Sequence, residues 1–219
     1  VDLILASGVL AANDVCHRVD LPKPVIAPFV LDPQIQGISL ENGTSGVRNL
    51  SFVTFPADIQ RDLEIFREIA SFDRLAILHS AVIREAIPEF YDNILRNTQD
   101  LDIRIDFVPV ETSITPVLES LPDDVEAVYV APLLGLREGE FEVLVQGLIQ
   151  RRLPSFSVLG TREAEQGILV GMAPDFNVPR LARRVALNVQ RILLGEDPST
   201  FQVVFTREER LTINMSTAR

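Results

Sequence analysis

The sequence is poor in the residues that carry covalent and metal chemistry. Its 219 residues include a single cysteine, Cys16, so no internal disulfide can form. The two histidines, His17 and His79, are too few for a His-rich metal site. Lysine is nearly absent: Lys23 stands alone and the other cations are arginines, a coding bias more than a binding surface. No apolar run approaches the ~20 residues of a membrane span. The chain opens on Val1 in an apolar stretch with no basic n-region, so no signal peptide is read there. The start is read as a cut end, which leaves the compartment open.

Basic charge is also in deficit. Asp and Glu number 31 against 20 Lys and Arg, a net charge of −11. A chain of that charge repels phosphate unless it carries a local basic patch, so duplex nucleic acid is a poor partner. The best cluster, Arg180, Arg183, Arg184 and Arg191, is spaced as one helix face and reads as a solvated one. Enzyme signatures are missing as well: there is no GxSxG elbow, no Walker loop and no GxGxxG. Cys16 and His17 are sequence neighbours on a predicted helix, so their side chains diverge by about 100°. A buried thiol beside an exposed histidine is the reading. Asn42-Gly43-Thr44 fits the glycosylation triplet and is read as a turn. Asp123-Asp124 is also read as a turn.

What is present is a packable core. Apolar residues make up 47% and charged residues 23%, which excludes a disordered chain. Short apolar runs without polar alternation fall at 2–7, 24–30, 47–53, 74–80, 103–110, 126–133, 154–160 and 167–173. That is the pattern of strands buried on both faces of a parallel sheet. Helical periodicity separates them at 58–70, capped by Asp58, at 82–97, kinked or restarted at Pro88, and at 113–121, opened by Thr112 or Ser113. Further helices are predicted at 138–152 and at 178–194, the last stopped by Gly195. The tail, 201–207 and 210–216, reads as two strands in a hairpin or bend. The alternation implies an α/β fold.

In open parallel sheets, ligands bind beyond the carboxyl ends of the strands. That rule selects Ser7 and Gly8, Asp32 and Pro33, His79 to Ala81, Glu111 to Ser113, Pro132, Leu134 and Gly135, Gly160 to Arg162, and Asp175 and Asn177. Singly, most read as helix caps; together they form a credible pocket rim. His79 reads as a polar contact or a structural bond rather than a general base.

Several segments, in order, resemble one family. VDLILASGVLAA (1–12), PVIAPFVLDP (24–33), the block 153–204 and the ending RLTINMSTA (210–218) are similar to segments of ABC-transporter substrate-binding proteins of the type associated with tryptophan, tyrosine or sugar uptake. The resemblance implies a type 1 periplasmic-binding-protein fold, with two Rossmann-like lobes of parallel sheet joined by three crossovers and closing on a ligand. Residues 1–52 plus 176–203 would form the first lobe, and 53–175 plus 204–219 the second. The family begins with a further strand, helix and strand, so the first lobe is expected to be incomplete and the chain N-terminally truncated. The implied ligand loops fall on Ser7, Gly8, Asp32, Ser80, Thr112, Ser113, Pro132, Thr161 and Asp175. No catalytic residue, metal or cofactor is implied.

The implied partners are a small-molecule ligand and an ABC permease subunit, in a periplasmic or other extracytoplasmic setting, with no membrane insertion. The loop APLLGL (131–136) offers no side-chain hydrogen-bonding group, which favours an apolar or aromatic, amino-acid-like ligand over a sugar. The alternative is a ligand-sensing or accessory domain of the same fold within a larger envelope or receptor protein.

Overall fold

The computed structural model describes residues 2–54, 58–174, 178–205 and 209–218. The first apolar runs build a three-stranded parallel sheet in the order β1-β2-β3: β1 (Ile4–Leu5), β2 (Val25–Val30) and β3 (Leu50–Thr54). Helix α1 (Val9–Cys16) returns the chain from β1 to β2, and the short α2 (Pro33–Gln36) follows β2. Pro28, in the central strand, has no N–H to give the ladder, and the β2–β3 register shifts between Ala27 and Val30. Ala12, Cys16, Val25, Ala27 and Phe52 pack as one core. Burial pushes the Cys16 thiol up to about 12. The Asn42-Gly43 turn is a two-residue hairpin with positive φ at both residues, closed by reciprocal bonds between Glu41 and Thr44.

The middle of the chain forms α3 (Ile59–Ile69), β4 (Arg74–Ser80), α4 (Ala81–Ala86), α5 (Phe90–Thr98), β5 (Arg104–Val110) and α6 (Thr115–Ser120). It continues with β6 (Ala127–Val130), α7 (Glu140–Gln150), β7 (Ser155–Ser157), α8 (Thr161–Glu165) and β8 (Val170–Pro174). Asp58 caps α3, its carboxylate accepting from the Arg61 amide at 3.0 Å. The 82–97 helix is broken as Pro88 suggested: α4 ends before it and α5 begins after it. α6 departs from expectation. Neither Thr112 nor Ser113 caps it; the Glu140 carboxylate reaches over from α7 and accepts from the Ile114 amide at 2.6 Å.

The chain then runs through α9 (Val178–Leu193), which is stopped at Gly195, φ 97°, where the Gly195 amide donates to the Ile192 carbonyl and the Glu196 amide to that of Arg191, and the described chain finishes in β9 (Glu209–Ile213) and the turn after it. The arginine face of α9 is not simply solvated. The Arg191 guanidinium lies 3.9 Å from the Phe201 ring centroid and the Arg180 one 4.9 Å from that of Phe205, and Arg184 donates to the Gln202 carbonyl.

Of the two tail strands expected, the second forms as β9, but among the described residues it does not pair with the first. Among the described residues, 201–205 carry only isolated bridges, to Thr44 and Thr54, and β9 pairs antiparallel with β8 instead. Phe201, Val203 and Phe205 are buried, so the alternation that suggested a strand is real although no ladder accompanies it.

Two compact units result: Val1–Ala57 with Phe176–Arg207, and Asp58–Asp175 with Glu208–Arg219. The second holds a six-stranded sheet in the order β5-β4-β6-β7-β8-β9, parallel except for β9. On one face Leu78, Val128 and Val130 pack with Val117, Leu144 and Leu148 of α6 and α7. On the other, Tyr129 stacks on Phe156 at 5.2 Å, and Phe156 meets Phe66 of α3 at 5.4 Å.

Gly171 in β8 has no room for a side chain, because a Cβ there would overlap the Gly160 carbonyl oxygen. Backbone cannot yield as a side chain tip can, so Gly171→Ala is expected to destabilise by about 1–3 kcal/mol, as overpacking does. Thermal melts should show Tm falling by about 2–4 °C per kcal/mol.

Candidate functional site

Parallel pairing brings the carboxyl ends of β4, β5, β6, β7 and β8 out at one edge of the second sheet. The pairings are direct: Ser80 lies beside Val110, Val130 beside Leu78, and Ser157 beside both Val130 and Gly171. Ser80, Thr112, Ser113, Pro132 and Thr161 therefore share that rim. In the first unit Ser7 and Gly8 follow β1, and Asp32 follows β2. Asp175 lies outside the described residues.

Most of these polar groups are already engaged within their own unit. Asp32 is buried, and its carboxylate accepts from the Ile35 amide at 2.8 Å to cap α2. Beside it, the Gln36 side-chain carbonyl accepts from the Leu31 amide, and its NH2 donates to Asn13 on α1 at 3.0 Å. The buried Ser80 hydroxyl donates to the Leu134 carbonyl at 3.2 Å, tying the end of β4 to the loop after β6. Ser113 donates to Glu140 at 3.1 Å. The Thr161 and Thr212 hydroxyls are 3.0 Å apart and join α8 to β9.

Three positions remain available. The exposed Ser7 and Thr112 hydroxyls make no hydrogen bond with any described residue. Gly8, at φ 96°, precedes α1 without capping it by a side chain, and a Cβ placed there meets nothing within 4 Å. Sequence reasoning missed Thr54. It ends β3 at the rim of the first unit, fully buried, with its hydroxyl unpartnered among the described residues. A threonine closing an apolar strand was the available signal. Sequence reasoning also missed Glu140 and Tyr91.

His79 makes hydrogen bonds within its own unit. It is buried, with the Tyr91 hydroxyl 2.8 Å from Nδ1 and 3.0 Å from Nε2, and Nδ1 3.1 Å from the Ser80 carbonyl oxygen. Burial lowers its pKa below the ordinary 6.5, and the positive charge of Arg84 adds to that. Among the described residues no group of His, Cys, Asp and Glu could hold a metal ion. No helix among them is long and apolar enough to cross a membrane.

The closing RLTINMSTA segment has a structural role. Asn214 donates to the Ala164 carbonyl at 2.7 Å, and its own side-chain carbonyl accepts from the Ser216 and Thr217 amides. Thr217 donates to the Gly167 carbonyl at 2.9 Å. The tail is thereby fastened to the α8–β8 turn.

No protein-family model matches the sequence, and no curated protein does. Solved structures do match along nearly its whole length. An ABC domain in complex with L-Trp from Streptococcus pneumonia is 19% identical, with a TM-score of 0.72, over 99% of this chain and 74% of the other. A conserved domain protein from Vibrio cholerae is 17% identical, with a TM-score of 0.75, over 99% and 72%. A ligand-free, open substrate-binding protein with adhesive properties from Clostridium difficile is 18% identical, with a TM-score of 0.61, over 99% and 72%. The chain has the type 1 periplasmic-binding-protein fold. At these identities the likeness establishes the architecture of two Rossmann-like lobes, and function has to be argued from the residues.

The His79 geometry sets a pH dependence. Its folded pKa lies below the unfolded value, so in the range below about 6.5 the unfolded chain binds the extra proton and the folded one resists it. The stability His79 contributes is therefore present above that range and lost as pH falls through it. Urea unfolding at pH 7 and about pH 5 should show the native chain losing more stability than His79→Gln. Equal losses in both chains would contradict this.

Proposed function

We propose that this chain is the solute-binding component of an ABC importer, working outside the cytoplasm, and that it holds a small molecule at the carboxyl ends of its parallel strands. The observation that carries the reading is the rim itself. The type 1 fold places the strand ends of each sheet at one edge, and the Ser7 and Thr112 hydroxyls there have no partner among the described residues. Ser80, Asp32, Ser113 and Thr161 hold the loops in shape, and Ser7, Gly8 and Thr112 face the ligand. Pro132 and Leu134 make the rim after β6 apolar, which suits an amino-acid-like molecule with an apolar or aromatic body better than a sugar with many hydroxyls to satisfy. The L-Trp bound by the Streptococcus structure is a molecule of that class. Binding works by differential affinity: a ligand that contacts one conformation better shifts the population toward it.

A thermal-shift panel of amino acids, aromatic metabolites and sugars tests this. A ligand at a hundredfold excess over its Kd adds about 2.7 kcal/mol to the native state. That is a rise in Tm of about 5–10 °C for a chain of this size. The largest response is expected from an apolar or aromatic amino acid, with Thr112→Ala reducing it and leaving the unliganded Tm unchanged. A panel without any response would overturn the reading.

A further inference from the structure

A cavity of about 400 Å³ opens within the second unit, lined by Arg84, Pro88, Tyr91, Asp92 and Phe107. That volume is in the range of small-molecule sites. It exists because Pro88 separates α4 from α5, leaving a gap in the helical cover beside the edge strand β5. The Tyr91 and Phe107 rings form its apolar corner, with centroids 4.5 Å apart and planes at 74°. The corner is held rigidly, because the Tyr91 hydroxyl is anchored on the buried His79. A wall that is already ordered costs little further entropy when a ligand packs on it.

The charges of this cavity are the informative part. Arg84 and Asp92 are both exposed, and neither forms an ion pair with any described residue. Arg84 lies over the Tyr91 ring, its guanidinium carbon 5.7 Å from the centroid. A simple anion would meet Arg84 but be opposed by Asp92, and a simple cation would meet the reverse. A zwitterion satisfies both.

We propose that this cavity is a second binding site, specific for a small zwitterion with a flat apolar body, of the α-amino-acid class. The carboxylate pairs with Arg84, the ammonium group pairs with Asp92, and the side chain packs into the Tyr91–Phe107 corner. The proposal rests on the residues of this cavity and not on the transport reading.

The chain reports on this cavity itself. It has no tryptophan and two tyrosines, Tyr91 in the cavity wall and Tyr129, which is buried against Phe156. Titration of the whole chain with L-phenylalanine, followed by tyrosine emission, should give a saturable change. Phenethylamine lacks the carboxylate and 3-phenylpropionate lacks the amine; each should bind about fivefold more weakly or worse, the value of one exposed ion pair. Arg84→Gln and Asp92→Asn, both at exposed positions, should each weaken the L-phenylalanine-dependent change in tyrosine emission by a similar factor. No saturable change, equal binding of the two half-molecules, or insensitivity to both charge substitutions would overturn the proposal. An emission change abolished by Thr112→Ala and untouched by both charge substitutions would also overturn it, by moving the ligand to the rim and leaving the transport reading intact.

Discussion

Parallel strands cannot be joined by a tight turn, and everything else in this protein depends on that constraint. Each strand must return by a crossover before its neighbour can form, so every strand of the run points the same way. The carboxyl ends of β4 through β8 leave one edge of the sheet, and the helices cover its two faces. A rim of loops is thus a geometric product of the pairing, before any residue in it is chosen. What the residues decide is which loops are tied down and which groups are left over.

The ties are hydrogen bonds between residues far apart in the chain. Ser80 to Leu134, Ser113 to Glu140 and Thr161 to Thr212 each join a strand end to a different element. Such a bond in a half-buried loop contributes about 1 kcal/mol net and costs more when one partner is left unmet. The same economy governs the tail, where the Asn214 side chain serves one carbonyl and two amides at once. The rim is therefore rigid at several points and chemically open at Ser7, Gly8 and Thr112. The aromatic corner under α5 follows the same plan: a buried histidine holds a tyrosine still, and the charged groups beside it form no ion pair among the described residues.

The fold was largely legible in the sequence, because burial on both faces makes an apolar run and helix ends carry local chemistry. β4 falls on the predicted 74–80 run, and Asp58, Pro88 and Gly195 mark boundaries where their own physics places them. The first tail segment was misread for an instructive reason, while the second does form a strand, β9. Phe201, Val203 and Phe205 alternate with more exposed residues as a strand would, but alternation reports burial and does not report a hydrogen-bonded neighbour. The site was legible only in position. That Ser113 serves Glu140, 27 residues away, or Thr161 meets Thr212, 51 away, is tertiary information. Local pattern does not distinguish those hydroxyls from the unengaged one of Thr112.

Cys16 sits in the core between α1 and β2, with its thiol held protonated far above neutral pH. Nucleophilic exchange requires the thiolate, which burial suppresses here. With that group inert and no second sulfhydryl to meet it, the folded chain is indifferent to the redox poise of its surroundings. It needs no oxidant to mature and offers a reductant nothing to cleave.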